Sequence, residues 1–256
     1  MATLKALACE LPAQRGEPLS RYSTGELAGV IAAHADAPAM SRSTIWRILD
    51  RDALKPWRYR SWLCPRDPQF AEKAGRVLDL YAGWWEGQPV DPKDCILSAD
   101  EKTSIQARIR CQPSRPPAPR QGKRSGQPIH VEHEYERGGA LAYLAAWDVR
   151  RGGIQGRCEA TTGKAPFGRL VDQIMQQEPY RSAPRVFWIV DNGSSHQGAK
   201  AARELAARYP TLILVHLPPH ASGLNQIELY FSIIQRKVLS PHDFTGLAAV
   251  EQRLLA

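Results

Sequence analysis

The chain has 256 residues, 43% of them hydrophobic, and a formal net charge of +8. That length suits one large domain or a core domain with a small accessory one, and no run approaches the roughly 18 consecutive apolar residues that cross a membrane. The N-terminus, MATLKALACELPAQRGEP, lacks the apolar core of a signal peptide, so the expected location is the cytoplasm, away from any membrane.

In chain order, residues 1–18 read as a poorly patterned leader and 19–66 as a small helical unit. Ser23 is a candidate N-cap, and Glu26 three residues later completes a capping box. Leu27, Val30 and Ile31 would form the buried face of this helix. A second helix follows Ser41, with Ile45, Ile48 and Leu49 inward and Arg42, Thr44 and Arg47 outward. A polar-faced helix after a Ser cap, preceded by another helix, is similar to the recognition helix of a helix-turn-helix. The connecting segment, residues 35–40, is longer than the usual turn. After it, Lys55, Arg58 and Arg60 interleave with Trp57, Tyr59 and Trp62. This alternation predicts a short strand or wing lying on a phosphate backbone. An ordinary helical hairpin is the other reading, but it needs no basic outer face.

Residues 67–91 predict a linker helix. Phe70, Ala74, Val77, Leu78 and Tyr81 make its apolar stripe, and Gly87 and Pro89 close it. From 92 to 256 the pattern is α/β. CILSAD is a strand; ALAYLAAWDV and GIQGRCEAT are hairpin partners joined across residues 150–153. APFGRLVDQIMQQE is an amphipathic helix. RVFWIVD and TLILVHL are continuously apolar, as buried strands are, and QGAKAARELAARY is a helix between them. A last helix carries Leu224, Ile227, Phe231, Ile234 and Val238 on one stripe. The predicted fold is a ribonuclease H-like mixed sheet with flanking helices, preceded by the helix-turn-helix unit.

The charge is concentrated. Residues 102–131 hold Lys102, Arg108, Arg110, Arg115, Arg120, Lys123 and Arg124 with no acid. A basic block of this kind suits a polyanion, and Pro113, Pro116, Pro117 and Pro119 predict that it is an extended, irregular loop. The five cysteines (Cys9, Cys64, Cys95, Cys111 and Cys158) include no CxxC pair, which argues against a disulfide framework or zinc site.

Three acids stand in telling places. Asp100 ends the run ILSA, Asp191 ends VFWIV, and Glu228 lies at the edge of the buried face of the last helix. Alternation puts Glu101, the competitor for the first position, on the opposite face of the strand from Asp100. An isolated buried carboxylate is costly. Magnesium takes oxygen ligands, one or two of them carboxylates, and two such ions serve in-line phosphodiester displacement. For Glu228 a plain surface glutamate is the competing reading.

The strings SADEKTSIQA, WIVDNGSSH and LPPHASGLNQIELYFSIIQRKVL together resemble the DDE transposases of the mariner superfamily, and within it the bacterial insertion-sequence 630 group. Asp100 matches the family's first acid in its DE-K context. Asp191 matches the second in DN-xxx-H, and Glu228 the third after an LN pair. The 36 residues between Asp191 and Glu228 fall within the family's spacing.

The resemblance implies a ribonuclease H-like core and two Mg2+ or Mn2+ ions held by Asp100, Asp191 and Glu228. It also implies double-stranded DNA as partner, cut at terminal inverted repeats and joined through a 3′-hydroxyl to a TA target, with a homodimer on the DNA in the bacterial nucleoid. Asn192, His196 and Asn225 fall on motif positions; His196 would orient Asp191 or touch a phosphate, and a purely structural histidine is the alternative. Arg42, Thr44 and Arg47 would read the repeat. Arg58, Arg60, Arg108, Arg110, Arg120, Lys123 and Arg124 would follow the backbone. Family members usually carry a further helix-turn-helix ahead of this one and a segment beyond the glutamate helix. The expectation is therefore a truncated or frame-interrupted copy, with a non-catalytic DNA-binding remnant and a nuclease without strand transfer as the alternatives.

Overall fold

A computed structural model of the chain describes every residue except 36, 62–64, 121, 123, 124 and 194–198, and only the backbone of 199–202. The described chain divides into two units, Met1–Cys64 and Pro65–Ala256.

Among its described residues the first unit has the α-helices α1 (Ala2–Cys9), α2 (Thr24–Ala32) and α3 (Arg42–Arg51), with a 3-10 turn at Pro12–Arg15. The capping box at α2 forms as expected: Ser23 Oγ accepts from the Glu26 backbone N–H at 3.3 Å, and Glu26 Oε2 accepts from the Ser23 N–H at 2.5 Å. Ser41 Oγ caps α3 through the Thr44 N–H at 3.2 Å. Leu27 and Ile31 of α2 pack with Ile45 and Leu49 of α3 in a closed core, and Val30 and Ile48 lie at its margin.

Two expectations change here. Residues 1–18, read as poorly patterned, contain α1, whose Leu4, Leu7 and Ala8 pack with the ring of Tyr22 in that same core. The alternation at 55–61 produces no strand. The Arg58 N–H instead donates to Lys55 O at 2.8 Å, closing a turn, and Pro56 removes a donor that a strand ladder would use. Trp62 lies outside the described residues.

The second unit begins with α4 (Phe70–Tyr81) and a two-stranded ribbon, β1 (Trp84–Trp85) and β2 (Gln88–Pro89). The helix ends at Gly83, whose φ of 86° suits glycine, before the expected Gly87. Five strands follow in one sheet: β3 (Cys95–Ile109), β4 (Glu136–Asp148), β5 (Ile154–Glu159), β6 (Val186–Val190) and β7 (Leu212–His216). Their order is β5-β4-β3-β6-β7. The first three run as an antiparallel meander, and β6 and β7 add in parallel on the far side of β3. Parallel neighbours require a crossover, supplied by α5 (Lys164–Met175) before β6 and α6 (Ala199–Arg208) before β7. This is the ribonuclease H-like mixed sheet expected from the sequence.

Helices cover both faces. Cys95, Leu97 and Ala99 of β3 point to the side where Phe167, Leu170 and Ile174 of α5 and Leu205 of α6 pack. Ile96, Phe187 and Ile189 point the other way, onto Val77 and Leu80 of α4. On that second face Tyr143 and Ala145 of β4 meet α7 (Ile227–Ile234) and α8 (Leu247–Leu255). Thus α4 is more than a linker: it roofs the sheet. Its inward residue is Leu80, while Leu78, expected in the stripe, is 52% exposed.

Further elements depart from the reading. Strand β3 continues nine residues beyond Asp100. Its polar stretch from Glu101 to Ser104 hides the return of alternation at buried Ile105 and Ala107, and an irregularity lies between Lys102 and Ile105, where Ser104 takes φ 57°. The basic block is therefore part strand. Beyond it, the isolated bridges Arg115–His130 and Ala118–Gln127 pair the two sides of an extended arm that forms no regular strand among its described residues. The glutamate helix also stops early, passing into a π-helical turn over Gln235–Leu239. Residues 247–255, not read from the sequence, form α8.

Candidate active site

The site is built from the end of the sheet where β3 and β6 run side by side. Their last paired residues are Ser98 and Ile189. Asp100 and Asp191 each lie two places beyond that pair, on neighbouring strands about 4.8 Å apart. Asp100 is thus a mid-strand residue, opposite Ala145 of β4, while Asp191 follows directly after β6. Both side chains are half-buried.

A buried polar pair ties Asp100 to α7. Ser98 and Asn225 are 0% and 1% exposed. Ser98 Oγ donates to Asn225 Oδ1 at 2.5 Å and accepts from the Ile227 N–H at 3.0 Å. Asn225 Nδ2 donates to Ala99 O at 3.2 Å and to Asp100 Oδ2 at 3.1 Å. Asp100 Oδ1 accepts from the Glu101 N–H at 2.7 Å. Alternation leaves the side chain of Glu101 on the opposite face of β3.

The same bonds place Glu228. It follows Ile227, whose N–H is held by Ser98, and its own N–H donates to Asn225 O at 3.1 Å. Glu228 therefore sits in the first turn of α7, exposed, where the helix dipole favours an anion. Tyr81 of α4 donates to Leu224 O at 2.9 Å and fixes the preceding turn.

Around Asp191 the backbone is tight. The Gly193 N–H donates to Asp191 Oδ1 at 2.8 Å. A Cβ on Gly193 would lie 2.8 Å from that same oxygen, so a larger residue there would have to displace the carboxylate. Asn192 Nδ2 donates to Leu217 O and links the ends of β6 and β7. An open cleft of about 610 Å³ lies here, lined among others by Lys73 of α4, Asp191, Gly193, Pro218 and His220. His220 holds φ 62°, a left-handed conformation that is uncommon without glycine. Lys73 Nζ is bonded to Asp67 Oδ2 at 2.8 Å.

The oxygen-only donor set suits a hard divalent cation. Among the described residues, no group of three His, Cys, Asp or Glu side chains is gathered closely enough to hold a metal ion. Asp100 and Asp191 are neighbours by strand pairing, and Glu228 is joined to them through Asn225. His196 lies outside the described residues. Reasoning from the sequence overlooked Ser98, although a lone polar residue within the apolar run CILSA was a visible signal. It also overlooked Lys73 and Gly193.

The expected DNA-contacting residues are dispersed. Arg42 of α3 lies against Gly25 of α2, where an added Cβ would meet its guanidinium carbon at 3.1 Å. The Thr44 hydroxyl lies 3.0 Å from that of Ser41 and 3.4 Å from Arg47 Nη2. Arg58, Arg60 and Arg120 are exposed. Arg108 and Arg110 both stack on Tyr135, at 4.8 Å and 5.3 Å from its centroid. Arg110 also donates to Glu132 O, to His133 O at 3.2 Å and to Pro241 O at 3.4 Å, which makes it a brace at the root of the arm. Lys123 and Arg124 lie outside the described residues.

Among the described residues no helix is long and apolar enough to cross a membrane. The comparison with curated proteins finds no match. Several solved structures share the fold. A Mos1 transposase paired-end complex with the left transposon end aligns over 99% of this chain and 69% of its own, at 14% identity and TM-score 0.54. A pre-cleavage Mos1 transpososome gives the same coverages, 16% identity and TM-score 0.55. A Mos1 mariner paired-end complex with Mn aligns over 93% of this chain and 71% of its own, at 16% identity and TM-score 0.51. The family model described as DDE superfamily endonuclease matches residues 110–249, more than half of the sequence, including Asp191 and Glu228. The chain belongs to the DDE superfamily endonucleases.

Proposed function

We propose that this protein is an insertion-sequence transposase, cutting double-stranded DNA at terminal inverted repeats and joining the freed 3′-hydroxyl to target DNA, with a TA target as in the family it resembles. The observation that carries the reading is the in-register placement of Asp100 and Asp191 two positions past the Ser98–Ile189 pair. The Asn225 bond to Asp100 adds Glu228 to the same end of the sheet. The solved structures of similar fold include Mos1 complexes with a transposon end, one of them with Mn.

Asp100, Asp191 and Glu228 would hold two Mg2+ or Mn2+ ions. Bound there, the ions would supply charge stabilisation for the attacking and leaving oxygens of an in-line displacement. The chain's own residues do the positioning. Asn225 and Ser98 fix the rotamer of Asp100, and Gly193 fixes that of Asp191. One or two carboxylates suffice for each ion because substrate phosphate and water complete its shell. The exposure of Glu228 leaves room for the DNA. Arg42, Thr44 and Arg47 on α3 would read the repeat. Arg58, Arg60, Arg108 and Arg120 would follow the backbone, Arg110 chiefly by holding the arm. The protein would act as a homodimer on DNA in the bacterial cytoplasm.

The test is incubation of the purified chain with DNA carrying the element's inverted repeats, in Mg2+ and then in EDTA, with the products sequenced. Mg2+-dependent cuts at the repeats and joined ends are expected. Cuts without joining would support a nuclease lacking strand transfer, and binding without cuts would support a DNA-binding remnant.

A further inference from the structure

A second cleft, of about 580 Å³, lies wholly within the N-terminal unit. Arg21, Ala53, Lys55, Trp57, Arg58, Tyr59 and Arg60 line it. Its four cations face no lining carboxylate. Among the described residues none of the four forms an ion pair, whereas Arg15 of the same unit pairs with Glu10 at 3.2 Å. Clustered, unpaired cations repel one another, and a polyanion relieves that repulsion.

The cleft is also shaped. The Arg21 guanidinium lies 5.4 Å from the centroid of the Tyr59 ring, while Tyr59 itself is 80% exposed. Arg21 precedes α2, and Tyr59 follows α3. The fold thus brings a distant arginine to the basic-aromatic run. The turn that does this is sharp: Ala53 takes φ 55°, and Lys55 O accepts from the Arg58 N–H at 2.8 Å. Stacking on the ring holds Arg21 partly ordered before any ligand arrives, which lowers the entropy lost on binding.

We propose that this cleft is a clamp for the phosphate backbone of duplex DNA, indifferent to sequence and separate from the outward face of α3. The proposal rests on the DNA-binding reading above and adds to it a site, a new member in Arg21, and a mode of contact. Guanidinium forks suit phosphate oxygens, and the lining offers no other charge for discrimination. Trp57 and Tyr59 pack along the sugar edge rather than between bases, because a duplex keeps its bases stacked.

The experiment uses the full chain and a short duplex of random sequence, with affinity measured across a salt series. Neutralising a phosphate-contacting cation lowers the magnitude of the slope of log K against log salt by about 0.9. Arg21→Gln and Arg58→Gln are each expected to lower the slope by about that amount, and the double variant by about twice it. Arg15→Gln removes one charge of the same unit outside the cleft and is expected to leave the slope unchanged. Circular dichroism establishes that each variant is folded. Equal slopes for the parent and the two cleft variants would overturn the clamp, and so would an equal loss in Arg15→Gln. A parent that shows no salt-dependent duplex binding would overturn the DNA reading itself, a separate outcome.

Discussion

Asn225 Nδ2 donates to Asp100 Oδ2 at 3.1 Å while Asn225 Oδ1 accepts from buried Ser98. One amide thereby joins the first acid of the site to the helix that carries the third. Asn225→Ala would leave the Ser98 hydroxyl and the Ala99 carbonyl without these partners. Loss of such buried bonds is expected to destabilise the protein by roughly 1–3 kcal/mol, measured by urea unfolding. Cleavage should fall further than this loss explains, because both Asp100 and Glu228 lose their alignment, while duplex binding persists.

Gly193→Ala tests the other acid. The new methyl would collide with Asp191 Oδ1 at 2.8 Å. The expected result is a fall in cleavage of about 100-fold, the scale for displacing a reacting group by about 1 Å. Gly193 is half-buried at the cleft rim, so the melting temperature should barely move. A variant with parental cleavage would show that the Asp191 rotamer is immaterial.

Away from the site, Gly156 of β5 leaves space for the Tyr143 ring. A Cβ there would come within 2.6 Å of Tyr143 Cζ. Overpacking of this kind is expected to cost about 1–3 kcal/mol in Gly156→Ala. Tyr143→Phe removes the phenolic oxygen, the nearest atom, and should partly restore the double variant in thermal melts.

Glu159 gives a pH-dependent prediction. The Arg169 hydrogen bond, with further help from Arg157, holds its carboxyl below the usual glutamate range, against the opposing effect of burial. Arg169 bonds it at 2.7 Å and 2.9 Å. A folded pKa below the unfolded one means stability that is fully present above the unfolded value and lost as pH falls through the folded one. Glu159→Gln should therefore be less stable than the parent at neutral pH by about 1 kcal/mol, a modest figure because the arginines are partly exposed. The difference should close as the pH drops below the ordinary glutamate value. A gap that stays constant into acid would contradict this assignment.

Much of the architecture was legible because the runs that form β6 and β7 are mostly apolar and the turn at residues 150–153 separates two strand-forming runs. The capping box at Ser23 located α2 to the residue. What escaped reading had physical causes. The polar stretch after Asp100 interrupts alternation on β3, so a mid-strand acid looked like a strand-end one. Leu4 and Leu7 offer too short a stripe to announce a helix, yet they pack in one core with α2 and α3. The bonds from Arg110 to carbonyls of Glu132, His133 and Pro241 were not legible, because charge shows in a sequence and its partners do not. The link from Ser98 to Asn225 spans 127 positions and becomes visible only when β3 and α7 are packed together.

The most direct measurement compares the parent and Asp191→Asn for Mg2+-dependent cleavage of repeat-bearing DNA, with duplex binding measured on the same preparations. The substitution is nearly isosteric and keeps an oxygen for the Gly193 N–H, so fold and binding should survive. The account predicts that the variant binds DNA like the parent and cuts none of it. A variant that binds and cuts as well as the parent would contradict the placement of the reaction at Asp100, Asp191 and Glu228.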